Sequence, residues 1–369
     1  MVGVSSFAAI ATARLDDPAP AASSTPAPAT SQPAPPSSEI DPSNSSAQNN
    51  ALADEMPPEL EPAIQRGLKA LAASQKADGT FGDDRWGRSV AITSLASLAL
   101  MADGNLPGRG TYGENVERGM RHVVDAVSES GLIAGEQAAA PMYGHGFATL
   151  FLGEVYGMTS GGPDTPESTK LHAALLKAVR LIQSTQNDEG GWRYNPIPND
   201  ADVSVTIAQI MALRSARNAG LDVPRTTIDR AVEYVRKCQN DDGGFMYQLT
   251  GGPSAWPRSA AGIASLQYAG IYSDKAIDKG VNYLVREAMP GNSPGGAHYY
   301  YGHYYAVQAM YLAGGDAWAK WWPAIRDELL KSQNADGTWD DPSVGDTYGT
   351  AMALIILQMP KRYLPIFQK

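Results

Sequence analysis

Gln186-Asn187-Asp188-Glu189-Gly190-Gly191-Trp192 is an acidic, glycine-containing turn that ends in a large aromatic. Close copies stand at Gln75-Lys76-Ala77-Asp78-Gly79-Thr80-Phe81, at Gln239-Asn240-Asp241-Asp242-Gly243-Gly244-Phe245 and at Gln333-Asn334-Ala335-Asp336-Gly337-Thr338-Trp339. The central glycine permits a positive φ, which stops a helix. Asp and Asn side chains can satisfy loose backbone donors nearby. The aromatic then folds back onto the helices. Burying one such ring removes about 150–250 Å² from water, a gross gain on the order of 4–6 kcal/mol. The turns therefore read as structural clasps. A calcium loop is the alternative reading of the acidic residues, but neither the calcium-loop order of acids around a central Gly nor its closing Glu is present.

Around the turns, two kinds of helix alternate. Before the first turn, Ile64, Leu68, Leu71 and Ala72 form one apolar face. After it, residues 89–101 are almost wholly apolar or small, which predicts a helix buried on all sides. The same pair recurs. Val116, Met120, Val123, Val124 and Val127 precede 145–156, and an amphipathic 175–183 precedes 204–219. Ile228, Val232 and Val235 precede 259–269, Ile277, Val281 and Leu284 precede 302–313, and Ile325 and Leu329 precede 348–359. The turn spacing agrees. Gln186 follows Gln75 by 111 residues, Gln239 follows Gln186 by 53, and Gln333 follows Gln239 by 94. Each long gap holds two repeats, so copies two and five lack the turn signature. Six helix pairs of about 50 residues make an internally repeated all-α domain. An open solenoid needs polar end caps. Here the last buried-type helix, Ala351-Met352-Ala353-Leu354-Ile355-Ile356-Leu357, is as apolar as the first. The prediction is a closed α/α toroid, with six inner helices inside six outer ones. It encloses an axial cavity, with the loops before the inner helices gathered at one mouth.

The composition narrows the partners. The chain has 369 residues, 43% hydrophobic and 18% charged, within the range of a soluble globular protein. A net charge of -10 disfavours a nucleic-acid or anionic-membrane surface, since both want basic patches. One cysteine, Cys238, rules out an intrachain disulfide framework and a multi-cysteine metal site. No apolar run reaches the ~18 residues of a membrane span. Residues 1–13 read as a weak or truncated signal peptide ending in Ala11-Thr12-Ala13, though without a basic start; the plain alternative is a disordered beginning. Residues 14–55, rich in Ala, Pro and Ser, cannot bury enough apolar surface to order and read as a linker. The toroid is expected over 56–369. This organisation fits an exported protein of the periplasm or cell envelope better than a cytoplasmic one.

The clasp turns resemble the QW motifs of terpenoid cyclases, the squalene–hopene and oxidosqualene cyclase group. They are similar, too, to the repeats of protein prenyltransferase β-subunits. The resemblance covers about residues 60 to 360 and is nearest to stand-alone bacterial prenyltransferase/squalene oxidase repeat proteins. It implies an α/α toroid and an isoprenoid-like apolar substrate, and it does not single out an activity. Class II cyclases carry a D-x-D-D-T-A motif at the start of an inner helix. The corresponding stretch is Asp200-Ala201-Asp202-Val203-Ser204-Val205-Thr206. One register sets Asp200 and Asp202 on the first two aspartates and Val203 on the third. The other sets Asp202 on the first, Ser204 on the proton donor and Thr206 on the threonine. Both leave the motif incomplete, and a serine cannot protonate an alkene. Asp202 remains as the candidate catalytic acid. The competing reading is that Asp202 and Ser204 merely cap the helix. Protein prenyltransferases hold zinc through Asp, Cys and His on inner helices. Cys238 instead ends an outer helix and reads as a packing residue, so neither a metal site nor a cofactor is expected.

Closure of the ring would gather further side chains at the mouth. Trp86, Arg88, Tyr143, His145, Ser204 and Trp256 are candidate substrate-binding residues, together with Arg258, Tyr301, His303, Tyr304 and Tyr348. Asp84, Arg85 and Asp346 stand beside them. A concave site walled by aromatics with a few polar groups is a default ligand pocket, and aromatic faces stabilise carbocations or stack on sugars. The structural alternative is that Arg and Asp pair across the mouth while the tyrosines complete the packing. His145 and His303 lack the spacing of a helical metal pair. Trp318 and Trp322 are spaced to stack along one helix. Three functions stay open: an enzyme acting on an isoprenoid-like small molecule, a non-catalytic envelope binding or scaffold protein, and a carbohydrate enzyme. The last needs paired inward carboxylates, such as Asp202 with Asp346 or Asp84. The sequence makes no prediction of oligomeric state.

Overall fold

A computed structural model describes residues 55–83, 88–135, 138, 140–160, 165–291 and 298–368. Trp86, Asp84 and Arg85 lie outside the described residues, as do the predicted signal peptide and all of the predicted linker but Glu55.

Among the described residues there are twelve α-helices and no named strand. In chain order they are α1 (Leu60–Ala73), α2 (Val90–Met101), α3 (Gly113–Asp125), α4 (Pro141–Thr159), α5 (Pro166–Ser184) and α6 (Val203–Asn218). Then come α7 (Arg225–Lys237), α8 (Trp256–Tyr268), α9 (Lys275–Glu287), α10 (Tyr299–Ala313), α11 (Gly315–Ser332) and α12 (Asp346–Leu357). The odd-numbered helices bury one stripe each, such as Val116, Met120 and Val123 of α3. The even-numbered helices are buried nearly all round. Successive even-numbered helices pack on one another, and α12 returns to pack on α2 and α1. The ring is closed, and the fold is an α/α toroid as predicted.

The clasps explain the closure. In each, the glutamine amide donates twice: once to its own turn and once to the outer helix of the next repeat. Gln186 Nε2 reaches Gly190 O at 2.8 Å and Thr227 O at 2.9 Å. Gln75 bridges Gly79 O and Asn115 O, and Gln239 bridges Gly243 O and Ala276 O. Gln333 bridges Gly337 O at 3.0 Å and Ala63 O at 2.9 Å, joining the last repeat to the first. Gly190 has φ +101°, and a Cβ there would run into the Arg230 carbonyl of the next outer helix. The aromatic fastens the turn to its own inner helix. Trp192 N donates to Thr206 Oγ1 at 3.1 Å, Phe81 N to Thr93 Oγ1, Phe245 N to Ser259 Oγ and Trp339 N to Thr350 Oγ1. The ring of Trp192 is buried, and its Nε1 donates to Ile182 O at 2.7 Å.

Repeat two keeps more of the clasp than its sequence suggests. Gly131 has φ +92° and meets the Lys177 carbonyl in the same way. Ile133 takes the aromatic's place, and its N–H donates to His145 Nδ1 at 3.1 Å.

The first and last described segments of the toroid seal onto the ring. Asp83 of the first repeat accepts from Thr347 N at 2.9 Å and Thr347 Oγ1 at 2.8 Å at the start of α12. Trp318 and Trp322 stack with centroids 5.2 Å apart, and their indoles donate to Glu55. Near the C-terminus, Leu364, Ile366 and Phe367 are buried, and Ile366 N donates to the buried Glu154 of α4 at 3.0 Å. Burial pushes the Glu154 carboxyl up to about 7.

Candidate functional site

The mouth at the N-terminal ends of the inner helices holds a cavity of about 650 Å³, inside the roughly 300–1,000 Å³ usual for small-molecule sites. Helix α2 contributes Ala91, Ile92 and Leu95, and α4 contributes Tyr143 and Phe147. Ser204 comes from α6, Tyr301 from α10 and Tyr348 from α12. Arg258 comes from the first turn of α8, and the loops add Tyr194, Tyr247 and, at the exposed rim, His298. Deeper in the ring, Tyr304 and Tyr305 are buried, with Tyr304 edge-on to Phe147 at 6.1 Å. Neither lines the chamber, whose residues come from the first two turns of the inner helices and from the loops beside them.

Five of the predicted residues therefore meet at the cavity: Tyr143, Ser204, Arg258, Tyr301 and Tyr348. Others stand elsewhere. Arg88 is exposed, 3.4 Å from Asp78 on the outer surface. Trp256 packs behind the wall, its ring 4.8 Å from His303 and filling the space over Gly302. His303 is buried among Trp256, Tyr299 and Trp321. Neither of its ring nitrogens has a hydrogen-bond partner among the described residues. His145 is fully buried in the clasp of repeat two, with Nδ1 accepting from Ile133 N and Nε2 on Ala178 O at 3.2 Å. Burial pushes its ring down to about 4, consistent with a neutral imidazole protonated on Nε2. Cys238 is buried and its thiol is pushed up to about 12, as suits a packing residue.

Asp202 is the N-cap of α6. Its Oδ1 accepts from Val205 N at 2.9 Å, while its own N–H donates to Trp192 O. The carboxylate is fully buried behind the wall, and burial raises its pKa. The other oxygen, Oδ2, makes no hydrogen bond among the described residues and lies 3.7 Å from Arg193 Nε. Ser204, two residues on, is the member of this stretch that faces the cavity. Thr206 is the clasp acceptor. Asp346 is exposed and bonds Asp341 N at 3.3 Å. Among the described residues no pair of carboxylates lines the chamber, as glycoside hydrolysis would need.

The sequence reading missed Tyr194 and Tyr247, whose hydroxyls bond each other across the mouth. The signal was present. Each stands two residues after a clasp aromatic, Trp192 and Phe245. That offset carries the chain from the buried ring back to the mouth. Arg193 lies over both phenol rings, 5.0 Å and 5.7 Å from their centroids, and pairs with Asp200.

A closed ring of six helix pairs with an aromatic-walled chamber at one mouth is an α/α toroid, and the chamber is its candidate site. The family model described as Prenyltransferase alpha-alpha toroid domain matches residues 172–298. Drimenyl diphosphate synthase of Streptomyces showdoensis is 25% identical over 203 residues, covering 52% of this chain and 37% of that protein. An alpha-2-macroglobulin of Thermotoga maritima is 25% identical over 121 residues, 33% of this chain and 8% of that one. The chain thus spans well under half the length of these curated relatives. Among solved structures, the type II terpene cyclase MstE from Scytonema superposes with a TM-score of 0.56 at 16% identity, covering 83% of this chain and 99% of that one. An α-1,6-mannanase of Salegentibacter superposes with a TM-score of 0.62 at 9% identity, covering 82% and 99%. These likenesses show the fold.

Proposed function

We propose that this chain is a cyclase/prenyltransferase-like repeat protein whose mouth cavity binds an isoprenoid-like apolar small molecule. The observation that carries the reading is the chamber of about 650 Å³ walled by Ile92, Leu95, Phe147 and a set of tyrosines. Its walls suit a branched hydrocarbon, and aromatic faces favour developing positive charge. Structures of MstE are described with geranylgeranyl dihydroxybenzoate as substrate and merosterolic acid A as product, which supports this ligand class.

A second reading, binding without conversion, draws on Asp202. Its buried carboxyl with a raised pKa has one property of a general acid. Yet Oδ1 is spent on the helix cap, and the side chain stands behind the cavity wall. A proton donor must lie within reach of the atom it protonates. This favours a binding or scaffold protein of the cell envelope that keeps the toroid without the chemistry. Incubating the purified full chain with squalene and geranylgeranyl diphosphate, with product analysis by mass spectrometry, separates the two. A cyclised product that disappears in Asp202→Asn supports conversion. Saturable binding without product supports the second reading, and no binding refutes both.

A further inference from the structure

The chamber's lining is chemically mixed. Helix α2 presents Ala91, Ile92 and Leu95, and α4 adds Phe147. Hydroxyls enter the lining from Ser204 and from the phenols of Tyr143, Tyr194, Tyr247, Tyr301 and Tyr348. Tyr194 and Tyr247 share one hydrogen bond. Two hydroxyls joined by one bond use one proton between them, so the second O–H stays free to donate to a ligand. Tyr301 gives its proton to Ser204 O at 3.3 Å, which leaves its oxygen as an acceptor. Burial pushes the phenols of Tyr143, Tyr247 and Tyr301 upward, so all three stay protonated.

The cations near the chamber are largely engaged. Arg258 Nε donates to Phe245 O at 2.9 Å, and its Nη2 donates to Pro253 O. Arg193 is paired with Asp200 and lies beside Asp202. A prenyl diphosphate would bring several negative charges to a wall on which Arg258 is the one arginine among the described residues. A pure hydrocarbon would cover the free phenol hydrogen without replacing its bond to water.

We propose, resting on the reading that the cavity takes an isoprenoid, that its ligand is a neutral isoprenoid bearing an oxygen: an alcohol, phenol or carbonyl. The oxygen meets the Tyr194–Tyr247 pair, and the hydrocarbon lies along α2.

The test is an equilibrium titration of the full chain with three probes: geranylgeraniol, geranylgeranyl diphosphate and the corresponding hydrocarbon without the hydroxyl. The alcohol should bind about ten-fold more tightly than either of the others, the worth of about one well-placed hydrogen bond. In the double variant Tyr194→Phe/Tyr247→Phe, the alcohol should fall to the affinity of the hydrocarbon, whose own binding stays unchanged. A diphosphate or hydrocarbon that binds as tightly as the alcohol overturns the proposal, as does a preference that survives the double variant. Should that variant fail to fold, the ranking on the wild-type chain decides alone. Binding by none of the three removes the cavity reading itself, a different failure from a wrong ranking.

Discussion

Gln186 shows how much one side chain can hold. Its amide joins the turn to the next outer helix, so Gln186→Leu leaves the Gly190 and Thr227 carbonyls without their donor. The expected loss is about 1–3 kcal/mol, read as a lower urea midpoint with an unchanged m-value. His145 makes a pH prediction of defined sign. Its folded pKa lies near 4, below the usual 6.5, so the folded protein favours the neutral ring. The stability this gives is complete above pH 6.5 and is lost as pH falls towards 4, a swing on the order of 3 kcal/mol. Repeats one, three and six use Thr at the equivalent clasp position. His145→Thr should therefore keep the clasp and flatten the acid side of the stability curve, measured by urea unfolding at pH 7, 5.5 and 4.5. An acid limb as steep as in the wild type would mean that His145 is not held neutral by the clasp. Single residues were also where the sequence was hardest to read. His145 looked like a mouth residue because it opens the predicted inner helix 145–156, and nothing local reveals that it replaces a threonine. Asp202 carried two readings, and the hydrogen bond to Val205 N shows that it caps the helix.

At the scale of elements, the pairing of an amphipathic with an all-apolar helix was fully legible. It rests on a 3.6-residue period sustained over every repeat. The clasp aromatic is the element's keystone. Trp192→Ala empties a fully buried site and strips Ile182 O of its indole donor. The expected cost is about 3–5 kcal/mol, measurable by chemical denaturation. Gly131→Ala should be unexpectedly costly for a repeat whose turn signature is missing from the sequence. A positive φ and the Lys177 carbonyl both oppose a Cβ there. A loss of about 1–3 kcal/mol is expected, and a neutral result would mean that repeat two is not clasped. That clasp was invisible because its glutamine and aromatic are replaced, while the glycine geometry that it retains has no signature of its own. Tyr194 and Tyr247 were missed because a fixed offset after a buried ring matters only once the path of the turn is known.

The whole molecule is a ring, and its closure has a mechanical consequence. Gln333 ties α11 to α1 across the join with the geometry that Gln186 uses inside the chain. Gln333→Leu should therefore cost about as much as Gln186→Leu, whereas an open solenoid would feel the loss of an end contact far less. The sequence implied this closure through the apolar last helix, and the packing of α12 on α2 and α1 bears it out. It could not tell how far the cavity runs along the ring, since that depends on how the buried side chains pack behind the mouth. The central claim is that the chamber left at the mouth is a binding site. Ala91 lies on its wall, and Ala91→Trp should fill it without disturbing the clasps. The most direct measurement is a titration of geranylgeraniol into the wild-type chain and into Ala91→Trp, with thermal unfolding to confirm that both are folded. Saturable binding to the wild type, reduced at least about ten-fold in the filled variant, is the predicted result. Equal binding by both folded proteins, or none by the wild type, would contradict it.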